Sequence, residues 1–349
     1  MSTNDQRFET HHGGLIVEDT DIQNSLLRKP LALSNGLQIH ADPQDSVSDR
    51  SERLHVPIDG YHLNIYATLP RVEVHNPPHI VILPGFIEHA EYGIGQKFQH
   101  TIARYIPHAQ IHGIATDGYG PDSERYGHKD RHQHDLQGMG FSRTQYIDEN
   151  IPEESPIIFA STSMGTIITK EIILNMKLDR LRNVAGGVLN ACALVERGAD
   201  SDKLAHWKKF GRFMLSVTPD AFVEIARTPP KRTFSLLKSL WESGHFTKDD
   251  LYPLGSLAVD IISGSDPYDI RDMLSKTKHS KFGVLIGEKD PVGELEMWNG
   301  LSEDFGNLSI YPVKGRSHGI VVNPVRNGRA VSRILYDSNT VNTLDGIST

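Results

Sequence analysis

The alternation of hydrophobic and polar positions becomes regular from residue 53 onward. Residues 53–58 and 61–69 alternate with period two around Asp59-Gly60, the pattern of two strands joined by a tight hairpin turn. His79-Ile80-Val81-Ile82-Leu83 is apolar for the length of a strand and stops at Pro84-Gly85. Phe98, Ile102 and Tyr105 then recur at i, i+4 and i+7, which predicts a helix. The rhythm repeats: a strand over 111–116, a helix over 135–149, a buried strand over 156–160, an Ile-rich helix over 165–177 and a strand over 184–189. Two more strands are expected at 282–286 and 308–313. A hairpin followed by alternating strands and helices implies an α/β architecture, with a mostly parallel central sheet flanked by helices.

Two stretches depart from that rhythm. Residues 1–50 are polar throughout, with short apolar pieces at Gly14-Leu15-Ile16-Val17 and Leu31-Ala32-Leu33 that could pack on a core. They read as an N-terminal extension without a recognisable motif. Residues 196–275 read as helices at roughly 201–216, 219–227, 231–243 and 248–262, with recurring aromatics such as Trp207, Phe210, Phe222 and Trp241. This is the pattern of an amphipathic helical cap packed on the body. The expected organisation is therefore an extension (1–50), a first core segment (51–195), a helical cap (196–275) and a second core segment ending in a polar tail (276–349).

Composition narrows the function classes. The chain has 349 residues, 38% hydrophobic and 23% charged, which suits a globular protein with a substantial core. Lysine plus arginine total 36 against 44 acidic residues, a net charge of −8, which argues against a nucleic-acid partner. Cys192 is the sole cysteine, so neither an intramolecular disulfide nor a cysteine-rich zinc site can form. The first twenty residues have no apolar segment resembling a signal peptide, and no run approaches the ~18 apolar residues of a transmembrane helix. The expected location is cytoplasmic, and self-association is left open.

The sharpest chemical signal is Ser161-Thr162-Ser163-Met164-Gly165, at the junction of an apolar strand and a helix. A nucleophilic serine on a strained strand-to-helix turn needs small residues two positions to either side, here Ser161 and Gly165. Serine replaces the more usual glycine at the first of these. A serine hydroxyl also needs a base, and the base needs an orienting acid. Asp290 follows the strand at 282–286, and His318 follows the strand at 308–313, in the order serine, acid, histidine. Two backbone N–H groups would complete an oxyanion hole: Met164, after the nucleophile, and Phe86, in the Pro84-Gly85-Phe86 loop after the strand at 79–83.

With these residues in place the chain resembles the α/β-hydrolase family, and within it the monoacylglycerol lipase and lysophospholipase group. That group carries a His-Gly-x-x-Glu-His-x-x-x-Tyr-like stretch after its third strand. Pro84-Gly85-Phe86-Ile87-Glu88-His89-Ala90-Glu91-Tyr92 keeps the Glu-His pair, has proline for the leading histidine and places the tyrosine one position early. Asp117-Gly118-Tyr119-Gly120-Pro121-Asp122-Ser123 keeps the aspartate and a glycine of the group's next motif. The resemblance spans roughly 53–195 and 276–335. It implies a serine hydrolase acting on a small-molecule carboxylic ester with an apolar acyl group. Ser163 would be nucleophile, His318 base, Asp290 orienting acid, and the Phe86 and Met164 amides oxyanion donors. It implies no cofactor and no metal. An acyltransferase on the same fold, or a non-catalytic binding protein that retains it, are the rival readings.

Other polar clusters carry less. His128, His132 and His134, with Asp130 and Asp135, are spaced differently from a His-x-His-x-Asp-His metal motif and read as a solvated loop. Ser161 has Phe159 two places before it, where a nucleophile needs a small residue. Asp266 is a rival acid, but it precedes the strand at 282–286. Gly93-Ile94-Gly95 lacks the spacing of a dinucleotide fingerprint, and no phosphate-binding loop occurs.

Overall fold

The computed structural model describes residues 6–9, 15–18, 23–58, 61–85, 93–116, 136–192, 270–290, 293 and 295–341. Residues 196–269 of the expected cap (196–275), the loop with His128, His132 and His134, Phe86, Asp266 and the tail from 342 lie outside the described residues, whereas Ile270, Met273 and Leu274, at the end of the expected cap, are buried in the core. In chain order the elements begin with β1 (Gln6–Glu9), β2 (Leu15–Glu18), α1 (Gln23–Arg28), β3 (Leu31–Ala32) and β4 (Gln38–Ile39). A 3-10 turn at Val47–Arg50 leads into β5 (Ser51–Ile58) and β6 (Tyr61–Thr68). The core continues with β7 (His79–Leu83), α2 (Gly93–Tyr105), β8 (Gln110–Ile114), α3 (Leu136–Asn150), β9 (Ile157–Thr162) and α4 (Met164–Asn175). Next come α5 (Leu178–Leu181), β10 (Val184–Asn190), α6 (Ile270–Lys276), β11 (Lys281–Gly287), α7 (Leu295–Asp304), β12 (Leu308–Val313), a 3-10 helix at His318–Val322 and α8 (Pro324–Asp337).

Ten of these strands form one sheet in the order β2-β1-β12-β11-β10-β9-β7-β8-β6-β5. The run from β12 to β8 is parallel throughout. The β5–β6 hairpin closes one side antiparallel to β8. On the other side β1 meets β12 with Phe8 opposite Val313, and β2 pairs with β1. The mostly parallel sheet flanked by helices is the architecture expected from the alternating pattern.

Side-chain alternation along the central strands divides the core into two layers. Val81 and Leu83 of β7 and Ile157 and Phe159 of β9 point to one face, where they meet Ile167 and Ile172 of α4, Tyr146 of α3, Met273 of α6 and Trp298 of α7. Ile80, Ile82, Ile158 and Ala160 point to the other, against Phe98 and Ile102 of α2 and Val331 and Ile334 of α8. β7 and β9 are buried at every position, as strands covered on both faces must be. This explains their continuous apolar runs.

Part of the N-terminal extension belongs to this core. Leu26, Leu27, Leu31, Leu33 and Val47 are buried in the second layer. Their backbone is tied down by α8: the Arg329 guanidinium donates to the carbonyls of Leu26 and Lys29 at 2.7 Å and of Pro30 at 2.6 Å. Ser34 donates through its N–H and hydroxyl to the Asp337 carboxylate at 2.8 and 2.9 Å. α8 starts on a defined cap, with the Asn323 side chain accepting from Arg326 N–H at 3.1 Å and Pro324 at the first helical position.

Candidate active site

Ser163, Asp290 and His318 follow the ends of β9, β11 and β12, which run parallel and so end at the same edge of the sheet, where the crevice of such folds forms. Ser163 sits between the last residue of β9 and the first of α4. Its backbone is at φ 48°, ψ −115°, a left-handed conformation that is strained for a residue with a side chain. Neighbouring groups hold it there. Ser163 N–H donates to the Asn190 carbonyl at 2.8 Å, from the end of the adjacent β10. Thr166 donates to the Ser163 carbonyl through both its N–H, at 2.9 Å, and its hydroxyl, at 2.6 Å.

The two small positions around the turn have different reasons to be small. A Cβ on Gly165 would lie 2.2 Å from the Leu83 carbonyl oxygen and 2.8 Å from that of Pro84, because the start of α4 is pressed onto the end of β7. Ser161, by contrast, is accommodated by a partner. Its hydroxyl is buried against the Thr169 hydroxyl, which itself donates to the Gly165 carbonyl at 3.0 Å. Serine stands where such turns usually carry glycine, and Thr169, in the second turn of α4, is what houses it.

The other two residues come from neighbouring loops that are stitched together. Asp290 lies in the turn after β11 and donates its N–H to the Gly287 carbonyl at 3.0 Å. His318 opens the 3-10 helix after β12. Lys289 N–H donates to the Arg316 carbonyl at 2.7 Å and Glu288 N–H to that of Val313 at 3.0 Å. The Glu288 carboxylate in turn accepts from Gly315 N–H at 2.8 Å. A Cβ on Gly287 would lie 2.3 Å from the Ser317 carbonyl oxygen, so the glycine lets the histidine loop cross the end of β11.

The structure brings Ser163, Asp290 and His318 together. Ser163 Oγ lies 2.8 Å from His318 Nε2, and His318 Nδ1 lies 2.8 Å from Asp290 Oδ2. The His318 side chain is 3% exposed and that of Asp290 is fully buried. A carboxylate accepting from Nδ1–H selects the tautomer whose Nε2 carries a lone pair, and that lone pair faces the serine hydroxyl. Met164 opens α4, so its N–H has no acceptor within the helix and lies at the positive end of the helix dipole. Pro84 and Gly85 close β7 beside Gly165, while the Phe86 amide lies outside the described residues.

Thr166, Thr169 and Asn190 went unremarked in the sequence. Their signal was faint: two threonines in an otherwise apolar helix start, and an asparagine ending an apolar strand. Among the described residues, no group of three His, Cys, Asp or Glu side chains is placed to hold a metal ion, and no helix is long and apolar enough to cross a membrane. Cys192 is buried at the end of β10.

No family model matches this chain, and no curated protein sequence does. Solved structures do. An α/β hydrolase from Novosphingobium aromaticivorans covers 84% of this chain and 99% of its own at TM-score 0.52 and 13% identity. An esterase from Exiguobacterium antarcticum covers 86% and 96% at TM-score 0.52 and 16% identity. A haloalkane dehalogenase from Bradyrhizobium elkani covers 81% and 96% at TM-score 0.55 and 14% identity. The chain has the α/β-hydrolase fold. Because one fold hosts several chemistries, and these neighbours include both an esterase and a dehalogenase, the reaction has to be argued from the site.

Proposed function

We propose that this protein is a serine hydrolase of carboxylic esters. The observation that carries the reading is the linear relay from Asp290 through His318 to Ser163, with both links at 2.8 Å, mounted on a strained strand-to-helix turn. Ser163 Oγ attacks the ester carbonyl carbon while His318 Nε2 takes the hydroxyl proton. The carbonyl oxygen becomes an oxyanion facing Met164 N–H, with the Phe86 amide as the second donor. Collapse breaks the bond to the leaving alkoxide, which takes the proton from His318 and departs as the alcohol. Water then attacks the acyl-enzyme, gives its proton to His318, and releases the acid as the proton returns to Ser163 Oγ. Asp290 holds the imidazole in place and stabilises the imidazolium at both stages.

The aromatic residues of the expected cap segment support an ester with an apolar acyl group, and the resemblance of the Glu88-His89 stretch supports one of the monoacylglycerol or lysophospholipid kind. The test is labelling with a fluorophosphonate followed by peptide mapping. The expected result is an adduct on Ser163 that disappears in His318→Ala and Ser163→Ala, with ester hydrolysis lost in both. A folded protein that hydrolyses short acyl esters equally well as Ser163→Ala would sink the proposal. A chain-length series that peaks at acetyl would sink the apolar-acyl part alone.

A further inference from the structure

We propose that Thr166 is a positioning residue that aims the Met164 N–H at the substrate's acyl oxygen. The inference rests on the ester-hydrolase reading of the site. A peptide unit is planar and trans, so its C=O and the following N–H point in opposite directions. The Ser163 carbonyl and the Met164 N–H belong to one such unit. Whatever fixes the direction of that carbonyl therefore fixes the direction of the oxyanion donor.

Thr166 does the fixing with two donors on one acceptor. Its N–H reaches the Ser163 oxygen at 2.9 Å and its hydroxyl at 2.6 Å. The N–H contact is available to any residue at that position. The hydroxyl contact is shorter and belongs to threonine or serine. It has a purpose here because the peptide unit is not at rest. Ser163 at φ 48°, ψ −115° holds the unit in a sparsely populated orientation, and free rotation about ψ would carry the Met164 N–H away from the crevice. Thr166 is 0% exposed, so its hydroxyl serves no solvent-facing purpose and its hydrogen bond is shielded from competing water. The result is a donor set before substrate arrives, which is the condition for electrostatic stabilisation of a developing charge.

Removing such a donor outright typically lowers kcat by about 10²–10³-fold, so losing only its alignment should cost a fraction of that on a logarithmic scale. The experiment compares wild type, Thr166→Val and Thr166→Ser on p-nitrophenyl butyrate, with active sites counted by fluorophosphonate titration. An alkyl boronic acid, which adds to the serine as a tetrahedral mimic, is the inhibitor. Thr166→Val is expected to lower kcat per titrated site by about tenfold with KM within about twofold, and to weaken the boronic acid by a similar factor. Thr166→Ser, which keeps the hydroxyl, recovers most of both. If Thr166→Val fails to fold, Thr166→Ala takes its place. Wild-type kcat in Thr166→Val overturns the inference. So does an unchanged boronic acid affinity, or an equal loss in Thr166→Ser, which would make the effect one of packing. A wild-type protein that neither labels nor hydrolyses, like Ser163→Ala, sinks the hydrolase reading and takes this inference with it.

Discussion

Acid should unfold this protein early, and the reason lies in its buried imidazoles. His79 on β7 and His112 on β8 stack 5.1 Å apart and share a 2.8 Å hydrogen bond, and His112 continues to the Tyr146 hydroxyl at 2.8 Å. His79, His108 and His112 are 2%, 4% and 2% exposed. Burial pushes the pKa of His79 and of His108 down to about 4, with the Arg180 guanidinium adding to the effect at His79. Burial and the neighbouring His79 push His112 down to about 3. In the unfolded chain each would titrate near 6.5. The sign follows from linkage. Above about pH 6.5 these groups are neutral in both states and cost nothing. As pH falls toward 4 the unfolded chain takes up protons that the folded protein refuses, so stability declines through that window. At roughly 1.4 kcal/mol per pH unit for each group, His79 and His108 alone remove on the order of 6 kcal/mol, and His112 adds to the loss. A domain's whole stability is commonly about 5–15 kcal/mol, so unfolding is expected between about pH 4 and 5. Urea melts at pH 7, 6 and 5 measure the slope directly. His108 Nδ1 has no hydrogen-bond partner, so His108→Leu removes a proton site without breaking a hydrogen bond at that nitrogen. It should reduce the slope near pH 5 by about 1.4 kcal/mol per pH unit. A stability flat between pH 7 and 5, or a His108→Leu slope equal to that of wild type, would refute the reasoning.

Three further perturbations follow from the geometry. Gly165→Ala drives a Cβ to within 2.2 Å of the Leu83 carbonyl, so it should destabilise the fold by about 3 kcal/mol or more and abolish any fluorophosphonate adduct on Ser163; a thermal melt and the label report both. Arg329→Met strands the carbonyls of Leu26, Lys29 and Pro30, with an expected loss of about 2–4 kcal/mol in a denaturant melt and new protease cuts at residues 23–34. Thr169→Val leaves the Ser161 hydroxyl buried without its partner and should cost about 1–3 kcal/mol, much of which the double variant with Ser161→Gly recovers; additive losses in the double-mutant cycle would show the two hydroxyls to be independent.

The parallel part of the fold was legible because its strands and helices obey simple rules of burial. β7 and β9 are covered on both faces, so their apolar runs stand out, and Phe98, Ile102 and Tyr105 on α2 are all buried. Ser163, Asp290 and His318 could be picked out because each follows a strand that the pattern reveals. α8 was not read as a helix, because Arg326, Asn327, Arg329 and Arg333 make it look polar. All four are at least nine-tenths buried, and Arg329 is satisfied by carbonyls some 300 residues away, which no local pattern can announce. The same long-range pairing ties down residues 26–34, where the local pattern marked only Leu31-Ala32-Leu33 as able to pack on the core. Thr166 and Thr169 escaped for a subtler reason: a threonine in a helix normally bonds its own backbone, and only the strained turn beside it gives that bond a further use.

The Arg329 tie also bears on how the molecule is made. The carbonyl of Leu26 and the guanidinium that binds it are 303 residues apart in sequence. At a synthesis rate of about 5–20 residues per second, roughly 15 to 60 seconds separate their emergence from the ribosome. Through the later part of that interval, once residue 190 has emerged, β7, β9 and β10 have been made but α8 has not, so Ile80, Ile82 and Ile158 lack the cover that Val331 and Ile334 will bring. The growing chain therefore carries an uncovered apolar face until α8 is made. Ser163 waits in the same half-built molecule, without its histidine, until the last tenth of the sequence arrives.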